Sequence, residues 1–455
     1  MEKYIIFMFV IFLATTLSLA QERELAVTVY NNDLAVIKDM RSLELAKGVS
    51  ELKYQDVAAA IDPTSVHFRS LTAPDKVGIL EQNYEYDLIN ADKIAQKYVD
   101  KNITVQLKDK KVFKGMLLSF DGASLILKTD SDTVKLISRE NIANIDFPKL
   151  PEGLITRPTL VWKIQNDQPG KHKTEVSYLT SAMNWHAEYV AVSKDDDQRL
   201  ELSAWVSIDN RSGATYPNAK LKLIAGEVHR VTPAVPMRAM GKAYALEAMD
   251  MSVPQFEEKP FFEYHLYTLS RPATISNNQI KQISLFPTAS TNVKKIYSYE
   301  FQRAAEDVRV NLEFVNSKES GLGMPLPAGK VRVYKQDQAD GSLEYVGEDM
   351  VEHTPKDEKV RLYLGNAFDI KPERAMTNKV STGKNSYEET YQIKIRNHKD
   401  SPVEILVVEK FYGFWEIKRS SHTYKKKDAY TAEFTVAVPK DQEAVLEFTV
   451  AYRTR

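Results

Sequence analysis

Cysteine is absent from the 455-residue chain. That excludes disulfides, thiolate metal sites, a cysteine nucleophile and lipid attachment through an N-terminal cysteine. A charge excess of one sign is missing too. The 61 Lys and Arg stand against 62 Asp and Glu, a formal net charge of -1, so no overall field draws the chain to nucleic acid or an anionic membrane. After residue 20, no apolar run approaches the roughly 20 residues needed to span a bilayer. Helical periodicity is scarce, which argues against an α/β fold with its many crossover helices. Its best example is NADKIAQKYVDK, where Asn90 is placed to cap and Ile94 and Tyr98 fall at i, i+4. The sequence holds no G-x-S-x-G elbow, H-E-x-x-H, phosphate loop or G-x-G-x-x-G opening a helix. STGKNS, 381–386, has only a Gly-Lys step.

What is present begins with an address. MEKYIIFMFVIFLATTLSLAQERE has a polar start with Lys3, an apolar run from Tyr4 to Ala14, and small residues Ser18 and Ala20 before Gln21. This pattern predicts a signal peptide over 1–20, cleaved near Ala20. The expected product is an exported protein, periplasmic or extracellular, soluble, with no transmembrane segment in the mature chain.

Beyond it, hydrophobic residues alternate with period two, the mark of half-buried strands. Leu202, Ala204, Val206 and Ile208 form one such series, Val308, Val310, Leu312 and Phe314 another, and Leu446, Phe448 and Val450 a third. YNND, AKG, ADGS and PKDQE supply turn residues between them. The expected fold is mainly β: several antiparallel β-sandwich domains with little helix. From about Gln96 to Pro148, five short strands joined by tight turns predict an inserted small barrel. Its Gly115, Phe120, Asp121, Leu125 and Leu127 spacing resembles an Sm-like or SH3-like unit. Ser124 stands where Sm proteins carry a base-contacting Asn, so nucleic acid is not an expected partner. The predicted organisation is an N-terminal β-domain over 21–95 and 149–230 interrupted by the barrel at 96–148, a Met- and Pro-rich flexible loop at 231–262, and a C-terminal β-sandwich at 263–455. Pro372 to Ser386, PERAMTNKVSTGKNS, reads as a polar loop between strands.

For chemistry, eight histidines are the main lead. Two sit two residues from a carboxylate: His186 with Glu188 in NWHAEY, and His229 with Glu227 in GEVHR. On a strand, i and i+2 share a face, so the four side chains would form a metal or acid–base site if their strands were neighbours. The plainer reading is two polar pairs on exposed faces. FYGFWEI, 411–417, followed by KRSSHTYKKK, offers Tyr412 and Trp415 as an aromatic platform beside cations, suited to a sugar or a peptide. The alternative is that these rings fill a core. In IDNRSGATYPNAKLKLIAGE, 208–227, Asp209, Asn210, Gly213 and Pro217 each have a turn-forming role. Arg211 has none, which makes it a partner-binding candidate or half of a local ion pair. No cofactor is expected.

Several stretches together resemble domain-of-unknown-function family 4139, related to proteins labelled mucoidy inhibitor-like. They are VTVYNNDLAVIKDMRSLEL, DVAAAIDPTSVHF, PEGLITRPTLVW, SYLTSAMNWHAEYV, the 208–227 stretch, LPAGKVRVY, FYGFWEI and VLEFTVAYR. The likeness runs over nearly the whole mature chain. It implies an exported or envelope-associated, mainly β bacterial protein, and carries no catalytic residue, cofactor or ligand. Many members have a long coiled coil where this chain has the barrel-like unit. The expected function is a non-enzymatic binding or structural/assembly module whose partner is another envelope protein or a surface polymer. The alternative is an extracytoplasmic hydrolase or carbohydrate-active enzyme using loop carboxylates and histidine.

Overall fold

A computed structural model describes residues 23–86, 90–149, 155–194, 197–226, 228–229 and 255–453. The predicted signal peptide lies outside them. No helix among the described residues is long and apolar enough to cross a membrane. The fold is mainly β, and its single described α-helix is Ala91–Lys97, capped by Asn90 Oδ1 accepting from Lys93 N at 2.8 Å.

The alternation seen in the sequence becomes burial. Strand Met183–Lys194 buries Met183, Trp185, Ala187, Tyr189 and Ala191 and turns the residues between them outward. It belongs to a five-stranded sheet with Gln279–Asn292, Arg199–Asn210, Gly329–Gln336 and Leu343–Val351. An eight-stranded sheet, including Glu24–Tyr30, Ala35–Leu45, Gly170–Thr180 and Tyr216–Ala225, faces it across one core. The same core takes in a three-stranded sheet of Gly48–Gln55, Thr159–Asn166 and Val77–Glu85. Aromatic contacts join the layers: Trp162 meets Phe68 at 5.3 Å between ring centroids, and Trp185 meets Tyr267 at 6.1 Å. Pairing is mostly antiparallel. Parallel exceptions join Glu24–Tyr30 to Tyr216–Ala225, Met183–Lys194 to Gly329–Gln336, and Lys294–Tyr299 to Val403–Lys410.

The second sandwich packs a six-stranded sheet on a four-stranded one, with Phe434 stacked on Phe448 at 5.1 Å. The six strands run in the order Lys359–Asn366, Arg309–Val315, Lys294–Tyr299, Val403–Lys410, Thr431–Val438, Tyr424–Lys426. This sheet serves both cores. Leu312, Phe314, Val360 and Leu362 belong to the first, whereas Tyr299, Ile405, Val407 and Phe434 belong to the second. The division at 262/263 therefore does not separate the cores, because strands on its C-terminal side complete the first sandwich.

Five strands between Asn102 and Asp146, ordered Ile142–Asp146, Asn102–Leu107, Val112–Phe120, Ser124–Thr129, Val134–Ser138, enclose a third, small core. The unit sits between two strands that pair directly, with Glu85 opposite Thr159.

Two segments expected as loops are strands. Residues 231–254 of the 231–262 segment lie outside the described residues, but Phe256–Phe261 pairs with Tyr264–Leu269. Likewise Pro372 to Ser386 falls in a long hairpin of Ile370–Gly383 and Ser386–Asn397. Both misread strands lie at the edge of a sheet. With most side chains in solvent, an edge strand carries no apolar alternation, and its polar residues discourage pairing with other chains.

Each sandwich also buries an ionic cluster. Asp39, 1% exposed, takes Arg41 at 2.5 Å and Arg23 at 2.8 Å, and the Arg41 guanidinium lies 4.0 Å from the Tyr54 ring centre. In the second, Arg374 donates to both oxygens of buried Glu409, at 3.0 and 2.9 Å, and lies 4.0 Å from the Tyr391 ring centre.

Candidate functional site

His186 and Glu188 do meet: Nε2 lies 3.5 Å from Oε1 on the outward face of strand Met183–Lys194. Glu188 also accepts from Gln282 Nε2 at 3.0 Å and lies 3.8 Å from Arg332. The hydrogen bond from His186 holds the Glu188 carboxyl below its ordinary value, against the raising effect of partial burial. The pair is part of a charged ladder on an open sheet face. The second pair does not join it. Strand Tyr216–Ala225 ends before His229, which is exposed and in no strand, and Glu227 lies outside the described residues. The two strands belong to different sheets, and Trp185 donates to Ile224 O at 3.1 Å across the core, so His186 points away from that neighbour. Among the described residues, no three His, Asp or Glu side chains gather where a metal could sit.

Arg211 contacts Asp209 through Nε at 3.2 Å and Nη2 at 3.0 Å. The rest of its loop is tied by backbone needs. Asn210 Nδ2 donates to Ala214 O at 2.9 Å, Ser212 Oγ donates to Asn210 Oδ1 at 2.7 Å, and Gly213 has φ +83. A Cβ on Gly213 would fall 2.4 Å from Ala59 Cβ, so the loop also needs glycine for close packing.

A Ser–His contact escaped the sequence reading. His172 Nε2 must donate to Gln168 O at 2.7 Å, which leaves Nδ1 to accept from the Ser70 hydroxyl at 2.9 Å. That is the tautomer of a general base, but Ser70 and His172 are each 1% exposed and Ser70 Oγ also accepts from Ala73 N. No substrate reaches the pair, which satisfies buried polar groups. Period two in GKHKTEVSY, with Val176 and Tyr178 inward, was the available signal for a core histidine.

One cavity of about 270 Å³ lies between the five- and six-stranded sheets, walled by Val310, Leu312 and Leu364. Its polar end is a closed ion cluster. Asp197 is held by Lys295 and by Lys335 at 2.9 Å, and against the raising effect of burial these bonds bring its pKa down to about 2.

A second recess, also about 270 Å³, opens on the outer face of the six-stranded sheet. Ser298 and Asn311 line its floor, with Asn311 Nδ2 donating to Ser298 Oγ at 2.9 Å. Arg303, Arg309, Arg361, Lys410 and Lys427 stand around it against Glu300, Asp428 and Glu433. At one end the chain turns into FYGFWEI, and here the aromatic stretch divides. Phe411 is 1% exposed and belongs to the second core. Trp415 packs at 4.7 Å on Phe411, donates to Ala429 O at 2.7 Å and carries Lys426 over its ring at 4.4 Å, so it is no open platform. Tyr412, Phe414 and Tyr430 are exposed by 71%, 59% and 57%. Tyr412 donates to Gln302 at 3.4 Å, beside Arg303, and Tyr430 sits between the lining residues Asp428 and Thr431. The surface thus sets the exposed rings of Tyr412 and Tyr430 beside a charged recess.

Comparison with protein-family models and with curated proteins finds no match.

Proposed function

We propose that the protein is an exported, envelope-associated member of the family its sequence resembles, working as a non-enzymatic binding or assembly module. One observation carries the reading: Tyr412 and Tyr430 stand in solvent beside a charged recess. Exposed rings gathered beside one recess mark an interaction site, whereas rings scattered singly need no explanation. The export reading rests on the N-terminal pattern, and the family reading on the ordered stretches quoted above. The carboxylates of the groove are engaged rather than poised for proton transfer. Glu300 holds Lys410 at 2.8 Å and Glu433 holds Lys427 at 2.8 Å, while Asp428 accepts from Tyr430 N at 2.7 Å. Hydrolysis of a glycoside would ask for two free carboxyls about 5–10 Å apart.

The test uses the chain from Gln21 onward, immobilised and offered to fractionated envelope proteins and a panel of polysaccharides. A Tyr412→Ala/Tyr430→Ala double variant is expected to lose capture while melting at the wild-type temperature. Equal capture by both proteins would sink the reading, and release of new reducing ends from a captured glycan would replace it with the hydrolase.

A further inference from the structure

We infer that the groove on the six-stranded sheet takes an acidic polysaccharide, a sugar chain bearing carboxylates or sulfates. The inference rests on the binding reading above and names its ligand. The first argument is charge. The lining holds five cations and three carboxylates, and because Glu313 beside it takes Arg361 at 2.6 Å the surplus is one (5 − 4), on a chain whose net charge is -1. The surplus is local. Arg309 has no carboxylate partner among the described residues and lies over the Tyr363 ring, 3.9 Å from its centre, which holds its guanidinium at the groove. A guanidinium held this way presents paired N–H donors that match a carboxylate or sulfate. Lys410 and Arg303 share Glu300, at 2.8 and 3.3 Å, so two cations stand on one anion at the aromatic end.

The second argument is the neutral lining. Ser298, half-buried, sits among the charges and offers a hydroxyl suited to sugar hydroxyls, while Asn311 and Thr431 are buried and form the neutral floor beneath it. The third is the rim, where exposed Tyr412 and Tyr430 give flat apolar faces against which a sugar ring can lie. Nucleic acid would share the stacking, but proteins that bind it commonly neutralise about 6–10 phosphates. A surplus of one, carried by Arg309, fits a polymer of sparser charge whose other contacts are neutral.

The experiment measures binding of the chain from Gln21 onward to polygalacturonate, dextran sulfate, neutral dextran and single-stranded DNA at low and high salt. Polygalacturonate or dextran sulfate is expected to bind, and the better of the two identifies the acidic group. Salt should weaken the complex, and neutral dextran should bind at least about tenfold more weakly. Arg309→Ala should lose about tenfold in affinity, the loss of one charge-assisted contact. Lys440→Ala, on a distant turn, should lose none. Because Arg309→Ala also removes a ring contact, its melting temperature is read alongside, and Arg309→Lys should recover part of the binding. Equal affinity for dextran, with Arg309→Ala silent, would overturn the acidic ligand and leave the binding reading standing. Tighter binding of DNA would overturn it in favour of nucleic acid. If no glycan binds but envelope-protein capture still depends on Tyr412 and Tyr430, the polysaccharide is wrong and the module binds protein. If neither occurs, both readings fall.

Discussion

Each sandwich lays an arginine against a tyrosine and beside a buried carboxylate, with the same 4.0 Å from guanidinium to ring centre, yet the two carboxyls shift in opposite directions. Burial pushes both upward. At Asp39 the hydrogen bonds from Arg41 and Arg23 win, and the carboxyl lies below its ordinary value. At Glu409 the burial effect outweighs the bonds from Arg374, and the carboxyl lies above it. The difference is the number of cations. One arginine in good bidentate geometry does not recover what a carboxylate loses on leaving water, whereas two do. The first cluster therefore rests on three charges, and the second on two.

The largest expected effect comes from breaking the first cluster. Asp39→Ala leaves Arg41 and Arg23, whose side chains are 11% and 25% exposed, without their shared counter-charge, a loss of about 3–5 kcal/mol, read from denaturant unfolding of the full chain. A loss below about 1 kcal/mol would mean that the arginines swing out to water and the cluster is not an obligate unit. Arg374→Met comes next, with about 3 kcal/mol expected at neutral pH. Its effect should shrink toward acid, because Glu409 can take up a proton where the arginines at Asp39 have no such escape. Adding Glu409→Leu should return most of the stability; a double variant as weak as the single would show that packing of the arginine matters more than its charge.

The wild-type protein sharpens the contrast through pH. Asp39 has a folded pKa below its ordinary 3.8, so its contribution is complete above 3.8 and is lost as pH falls through the lower folded value. Glu409 has a folded pKa above its ordinary 4.5, so its contribution is complete below 4.5 and is lost as pH rises through the folded value. Acidification from neutral should first tighten strand Val403–Lys410 and later loosen strand Ala35–Leu45. Amide hydrogen exchange corrected for intrinsic rate reads both, and parallel behaviour of the strands would remove the distinction. The smallest effect belongs to the outer ladder: Glu188→Gln should change stability by less than about 1 kcal/mol, as exposed pairs do.

These differences bear on what could be read from the sequence. Period two was enough to give the mainly β class and the inward residues, and the cap at Asn90 was enough to give the helix. Asp39 was legible in principle, since Ala35, Ile37 and Asp39 share one face of a strand whose other members are buried. What alternation cannot supply is the identity of the neighbouring strand. His186 and Glu188 lie on one strand and were found together, but the expected meeting with the 227–229 pair needed a neighbour that the topology does not provide. The groove is harder still. Ser298, Arg309, Lys410 and Thr431 come from four different strands, and no spacing along the chain marks them as one surface. Tyr412 was singled out because aromatics cluster around it, while Trp415, chosen on the same ground, proved to be packed and covered.

The six-stranded sheet closes one core with half its width and the other core with the rest. No cut in the chain therefore yields a free-standing sandwich, and the two must be inherited, expressed and lost together. The barrel is different. It leaves and rejoins its host at Glu85 and Thr159, which already face each other as paired residues. A short turn joining those two residues would keep the host strand pair intact without the barrel.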